Sequence, residues 1–496
     1  MCIRDRDNYD PVAKSEIELG GETNGGTISL DASQNITLSS LQTTNNTSDA
    51  VRINSTAGAV IDGGDADTDI IANAFTTITS GTGIGATGAS GKLEFADGSV
   101  VDAESTTGDI ALRGLGEITL EDVEATVGAV DVMADGDVLV GEVEAGTTID
   151  VLTTGGSIND LASDGLVDLD AGGLIRLDAA GDIGGMPNGN LELAGGSVAV
   201  ATATTGNIAL NGLASLPATP GLTGLTIPNV TTNGGTISLD AIDDIIVTSL
   251  DTTNDTEDAV RITSTNDLFI DSIFATGDVS LTAGNDVISF LFNDDRAIVA
   301  QTLSINAGNQ SVDGVNDGVR LDTNVDTLNV EIGGTGDLSI NEQNDITLNS
   351  VSTGGNVFIT ADGDIISESV QVVSTDPDNS VSFSSSSSIE VGSLQASSSS
   401  VFLAAMDDVF TSNPELHLIS DRLTVRAENS LSGGVFDGIN LATNVNTLDL
   451  VLSPSPQNNT GSVSISEANA LDVEFALNFQ GSVSIDSGAN LSLIHI

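Results

Sequence analysis

Seven acidic residues recur immediately before a short apolar stretch: Glu117, Asp137, Asp244, Asp286, Asp345, Asp364 and Asp408. If the stretches stack, Glu117 should lie over Asp137, and Asp345 over Asp364, at roughly 5 Å. Two unit charges at that spacing repel by about 0.8 kcal/mol in water. A column of this kind can recruit Ca²⁺, which takes several oxygen ligands. Glu117, Asp137, Asp345 and Asp364 are therefore the candidate metal ligands, and Ca²⁺ is the only cofactor considered. The plainer alternative, preferred here, is that each acid makes an Asx-type turn at a corner and is otherwise solvated. The calcium repeat Gly-Gly-x-Gly-x-Asp is absent, because Gly63-Gly64-Asp65-Ala66-Asp67 lacks its third glycine.

A second recurring group is basic. Asp49-Ala-Val-Arg52-Ile, Asp258-Ala-Val-Arg261-Ile and Asp317-Gly-Val-Arg320-Leu repeat an arginine in an otherwise acidic chain. Each arginine could meet an anion or a carbohydrate; the preferred reading is an outward arginine that neutralises an aspartate on the next turn. Catalysis has little to stand on. His417 is the one credible histidine, and neither a Gly-x-Ser-x-Gly elbow nor a phosphate-cradling Gly-Lys-Ser/Thr loop occurs. Parallel β-helix enzymes that act on pectin-like sugars cluster Asp with Arg or Lys on one face. Asp243-Asp244, Asp294-Asp295 and Asp407-Asp408 could imitate that, but they occupy repeat corners, and Lys14 and Lys92 are the only lysines. The expectation is a chain that is not an enzyme.

The elements that must position these residues are written most clearly from Gly108 to Val151. Gly108-Asp-Ile-Ala-Leu and Glu117-Ile-Thr-Leu-Glu-Asp-Val-Glu-Ala form one line. Gly128-Ala-Val-Asp-Val and Asp137-Val-Leu-Val-Gly-Glu-Val-Glu-Ala form the next. Ile110, Ile118 and Val123 match Val130, Val138 and Val143, 20 residues on. Period-two alternation within a line marks strands, and the fixed longer period marks stacked identical units. The fold class is all-β: a parallel β-helix or solenoid, expected to be right-handed, with about 20 residues per three-strand turn and a little over 20 turns. Ala111, Thr119 and Asp131 should face solvent, and Gly and Asp/Asn should fill the corners.

Composition agrees with such a body. Of 496 residues, 55 are Gly, Trp is absent and 39% are hydrophobic, which is too apolar for disorder and suits a narrow aliphatic core. Acidic residues number 72 against 12 basic, for a net charge of −60. Nucleic acid is excluded as a partner, since binding it requires a basic footprint. No run of about 20 apolar residues exists, so no helical membrane insertion is expected.

The chain also repeats at long range. Asn24–Thr56 aligns with Asn233–Thr265, 209 residues later, with 23 of 33 positions identical. Leu303–Val330 is related to Leu423–Leu450. We divide the chain into an irregular lead-in (7–23), a first solenoid copy (24–211), a Pro/Gly-rich loop or seam (212–232) and a second copy (233–490). The serine runs 384–388 and 397–400 suggest low complexity. However, Val381, Ile389, Leu394, Val401 and Val409 keep the 0/+8/+13/+20 spacing through them, so these are read as solenoid, with the serines outward or at corners.

Residues 1–6 and 491–496 share nothing with the repeat. ATG-TGT-ATA-AGA-GAC-AG encodes the first six, and CTG-TCT-CTT-ATA-CAC-ATC, its reverse complement, encodes the last. That DNA resembles the transposase adapter used in sequencing libraries. Both ends are read as translated adapter and the chain as an internal fragment. Cys2 and His495 are then not native, and the remainder of a parent exoprotein is expected at both ends.

Thr107-Gly-Asp-Ile-Ala-Leu, Thr205-Gly-Asn-Ile-Ala-Leu and Gly355-Asn-Val-Phe-Ile-Thr-Ala-Asp-Gly-Asp-Ile resemble the repeats of filamentous-haemagglutinin-like exoproteins and giant bacterial surface adhesins. Met186-Pro-Asn-Gly189 is a faint echo of that family's Asn-Pro-Asn-Gly motif. The resemblance implies a secreted right-handed β-helix, extracellular or outer-membrane associated. Its role would be a non-enzymatic stalk or adhesive segment that meets cell-surface or matrix glycans and proteins. Two alternatives stand beside it: a carbohydrate-active parallel β-helix of the polysaccharide lyase or hydrolase kind, and a calcium-stabilised matrix or surface-layer element.

Overall fold

Ile110, Ile118 and Val123 lie directly against Val130, Val138 and Val143 in parallel register, and all six are fully buried. The strands are Ile110–Gly114, Ile118–Ala125, Val130–Ala134 and Val138–Ala145. Each exchanges backbone hydrogen bonds with the strand one turn away while its apolar residues stack inside. No single line could bury such residues alone, so the stack is the folding unit. At the corners the backbones approach too closely for a side chain. A Cβ on Gly128 would come within 2.3 Å of the Gly108 carbonyl oxygen.

The computed structural model describes residues 3–4, 17–48, 50–64, 68–72, 74–86, 91–185, 189–213, 224–289, 298–308, 318–374, 376–412, 418–428, 438–452, 462–478 and 482–493. The chain divides into two units, Met1–Asn254 and Asp255–Ile496. Each is a parallel β-solenoid. About 65% of the chain is strand, there is no helix among the described residues, and the sheet is parallel throughout. The turns number about 17, with roughly 23 residues between stacked strands; this is longer than the sequence period and gives fewer turns. Corner insertions account for the difference. The offset is 20 at Ile118/Val138, but 26 at Val143/Leu169 and 29 at Leu41/Ile70. Extra residues bulge outward at a corner while the strands on either side stay in register.

Two residues depart from the expected outward set. Ala111 is fully buried and Thr119 nearly so. The segment entering at Ile84 hydrogen-bonds to the Ala111 amide, and a Cβ on Gly85 would lie 2.3 Å from the Ala111 carbonyl oxygen. Buried hydroxyls line the inner corners. Thr43, Ser55 and Thr252 donate to carbonyl oxygens of Gly26, Gln34 and Gly235 at 2.7–2.8 Å, which satisfies groups that the ladders leave free.

In the second unit the serine-rich lines are strand. Ile389–Ala405 runs unbroken, with Val401 on Val381 and Val409 on Ile389. Of the serines expected outward or at corners, Ser385 and Ser399 are buried; Ser385 ends its strand, and its hydroxyl donates to the Gly363 carbonyl at 2.7 Å. The related segments form two 15-residue strands, Gly318–Ile332 and Gly438–Leu452. Both begin at a glycine with φ near +120°, whose amide donates to a buried aspartate, Asp286 or Asp408. Within the expected loop or seam, Pro228 lies inside strand Leu225–Thr232. It falls where the register against Val198 and Val200 shifts, a bulge at which the missing amide is tolerated. Pro217 and Pro220 lie outside the described residues.

Candidate functional site

The corner acids act between turns. Asp137 Oδ1 accepts from the Ser157 amide at 2.7 Å, Asp345 Oδ1 from the Asp364 amide at 2.7 Å, and Asp364 Oδ1 from the Ser388 amide at 2.8 Å. Glu117 enters through its amide, which donates to Asp97 Oδ1 at 2.8 Å. A carboxylate that follows the solenoid's rise can satisfy the next corner's amide, so the acids recur at turn spacing. Among the described residues, two trios have carboxylate oxygens close enough to share an ion. Neither includes Glu117, Asp137, Asp345 or Asp364.

The arginines separate by environment. Arg176 pairs with Asp150 at 3.1 Å, and Arg422 with both Asp449 and Glu474 at 2.6 Å. Arg52 has no ion pair among the described residues. It lies between Ser29 and Thr77 in the ladder, exposed, and lines an open groove of about 500 Å³ with Thr27, Asp31 and Asn54. Asp49, Asp317, His417, Lys14, Asp294, Asp295 and Met186 to Asn188 lie outside the described residues.

Sequence reasoning missed the two carboxylate trios, both in the first unit. The first is Asp62, Asp69 and Glu94; the second is Asp160, Asp168 and Glu192. In each trio, one oxygen per residue lies within 4.8 Å of the other two. The trios are equivalent, member for member, 98 or 99 residues apart. Asp62 and Asp160 close the strands Val60–Asp62 and Ile158–Asp160. Asp69 and Asp168 immediately precede Ile70–Ala72 and Leu169–Ala171. Glu94 and Glu192 are the middle residues of Leu93–Phe95 and Leu191–Leu193. One contact is conserved between the copies: the Glu94 amide donates to Asp69 Oδ2 at 2.9 Å, and the Glu192 amide to Asp168 Oδ2 at 2.7 Å. The similar lines Thr107–Leu112 and Thr205–Leu210, 98 residues apart, were the available signal for this duplication.

The second trio is the more deeply buried. Asp160, Asp168 and Glu192 are 1%, 3% and 8% exposed. Burial pushes the Asp168 carboxyl up to about 8; the nearby negative charges of Asp160 and Glu192 add to this, and the Glu192 amide donor opposes it. Glu192 is also raised, first by burial and then by the charges of Asp160 and Asp164, against hydrogen bonds with Asp168 and Asn211. Three carboxylates in so little space must hold protons or a cation, because isolated buried charges are costly. No family model, no curated protein and no solved structure matches the chain.

Proposed function

We propose that this chain is a non-enzymatic stalk or adhesive segment of a large secreted or cell-surface bacterial exoprotein. The observation that carries this reading is how the recurring polar residues are used. The corner acids Asp137, Asp345 and Asp364 each hold the next turn's amide, so the repeated chemistry supports length and register. The outer surface is left polar and acidic, which favours solubility for a long β-structure and repels other copies. Cell-surface or matrix glycans and proteins suit it as partners, and nucleic acid does not, at a net charge of −60.

A carbohydrate-active reading draws on one feature, the groove at Arg52, which combines a cation without an ion pair among the described residues, hydroxyls and Asp31. Asp31 already accepts from Asn54 at 3.0 Å, and among the described residues that line the groove there is no second acid for the two-carboxylate chemistry of glycoside hydrolysis. Incubating the chain with acidic and neutral polysaccharides and measuring new chain ends separates the readings. Binding without cleavage, or retention on a glycan-bearing surface, supports the adhesive role. Turnover abolished by Arg52→Ala would replace it with an enzyme.

A further inference from the structure

The two trios differ in their counter-charge. In the first, Arg113 is Glu94's ladder partner and brings Nη1 to 3.6 Å from Glu94 Oε1 and Nη2 to 3.7 Å from Asp135. At the equivalent position 98 residues later, Glu192 has Asn211 as its partner. Among the described residues, no basic side chain pairs with Asp160, Asp168 or Glu192. Lys92, which pairs with Asp131 beside the first copy, is also replaced, by Asn190. The second copy has the same three acids without these cations.

Asp160 Oδ2 and Glu192 Oε2 are buried and meet no hydrogen-bond donor, and the same holds for Asp69 Oδ1 and Glu94 Oε2 in the first copy, where the Arg113 guanidinium lies 3.6 Å from Glu94 Oε1; the other Asp160 oxygen accepts from the Ala162 amide at 2.7 Å. A buried oxygen without a donor is costly unless something else supplies positive charge. Gly189 stands beside Asp160 Oδ2 with φ at +98°; a Cβ there would come 3.1 Å from the Ser163 hydroxyl and 3.3 Å from that oxygen.

We propose that Asp160, Asp168 and Glu192 bind one Ca²⁺ ion, which does for the second copy what Arg113 does for the first. The spacing fits this ion. Oxygens that share a cation at about 2.3–2.6 Å can be separated by no more than about 5 Å, and the three lie within 4.8 Å. Mg²⁺ usually keeps several waters and takes only one or two carboxylates, so a set of three protein carboxylates suits it less well. The carboxylates supply three to six of the oxygens that Ca²⁺ takes, and a site with three acids and no nitrogen or sulfur ligand selects a hard cation.

The test uses the full chain, stripped with a chelator, with Ca²⁺ or Mg²⁺ added at matched ionic strength to cancel general screening of the acidic surface. Equilibrium dialysis counts bound ions and thermal unfolding reads stability. Asn211→Arg copies the arginine of the first trio. We expect it to bind one Ca²⁺ fewer per chain than wild type, to lose the Ca²⁺-specific rise in melting temperature, and to melt no lower than wild type without metal. Glu192→Gln, nearly isosteric, should lose the same ion, whereas Glu94→Gln should keep it. Equal Ca²⁺ counts in wild type and both second-copy variants would overturn the assignment. So would a rise in melting temperature that Mg²⁺ reproduces in full. If Asn211→Arg fails to fold, the Glu192→Gln count decides alone.

Discussion

Glu342 in the second unit lends itself to a quantitative experiment, because opposing forces meet on one buried carboxyl. It is 1% exposed. The Thr323 hydroxyl donates to Oε2 at 2.7 Å, the Gln343 and Asn344 amides to Oε1 at 2.9 and 3.2 Å, and the Val325 amide reaches both oxygens at 3.3 Å. All four donors favour the carboxylate. Burial favours the acid and outweighs them, pushing the group from 4.5 up to about 7. A carboxyl raised on folding stabilises the folded chain in its protonated form. That contribution is complete below pH 4.5 and is lost as the pH rises through about 7. At roughly 1.4 kcal/mol per pH unit, the span is worth on the order of 3 kcal/mol.

Glu342→Gln fixes the neutral form in nearly the same shape. Denaturant unfolding of wild type and variant at pH 4, 6 and 8 should show their stability difference moving by about 3 kcal/mol in the variant's favour as the pH rises. The other 71 acidic residues titrate in both proteins and cancel in the difference. A constant difference would refute the reasoning, because it would mean that the four donors keep Glu342 ionised across the range. Glu467 accepts from Thr443 and from the Val445 and Asn469 amides in the related segment.

Two substitutions probe the stack itself. Ile118 lies between Ser99 and Val138 and is fully buried; Ile118→Ala should cost about 2–5 kcal/mol, whereas half-exposed Leu152→Ala should change stability by no more than about 0.5–1 kcal/mol. Equal midpoints for the two variants in thermal or denaturant unfolding would contradict the stacked core. Asp137→Ala strands the Ser157 amide and should cost about 1–3 kcal/mol, most of it recovered in Asp137→Asn, which keeps an acceptor. A cost that asparagine does not recover, and that depends on added Ca²⁺, would assign the corner column to metal rather than to backbone.

The solenoid was legible because its cause is local and repeated. An apolar residue that returns 20 positions later, as Ile118 does at Val138, states both the strand and its neighbour, and sequence comparison within one chain exposes it. The same logic carried the reading through the serine runs, since Val381, Ile389, Val401 and Val409 kept their places whatever lay between them. Turn length was less legible. The register depends on which strands stack, while residues added at a corner, as between Val143 and Leu169, change the count without changing the stack. A period read from the most regular lines therefore underestimates the mean. The burial of Ala111 was hidden for a related reason: alternation tells which side of a strand a residue occupies, but not whether a segment from a neighbouring turn, here the one at Ile84 and Gly85, packs against it.

The carboxylate trios show the limit most clearly. Asp62, Asp69 and Glu94 are separated by 7 and 25 positions, and Asp160, Asp168 and Glu192 by 8 and 24. The longer interval in each trio is one turn at that level, since Ile70 pairs with Phe95 and Leu169 with Leu193, but it departs from the 20-residue period of the regular lines, and the shorter interval spans a corner insertion. In a chain with 72 acidic residues, three carboxylates at irregular spacing carry no signal of their own. Their equivalence emerges only when whole turns are superimposed, and the informative comparison is then the exchange of Arg113 for Asn211. In a repeat protein, a duplicated site keeps its geometry through the ladder, so a change of charge between copies is exposed against a fixed background. An acid cluster with all three members and no arginine needs another source of positive charge or a proton. The metal and pH experiments distinguish these two on the intact chain, with the first copy as the internal control.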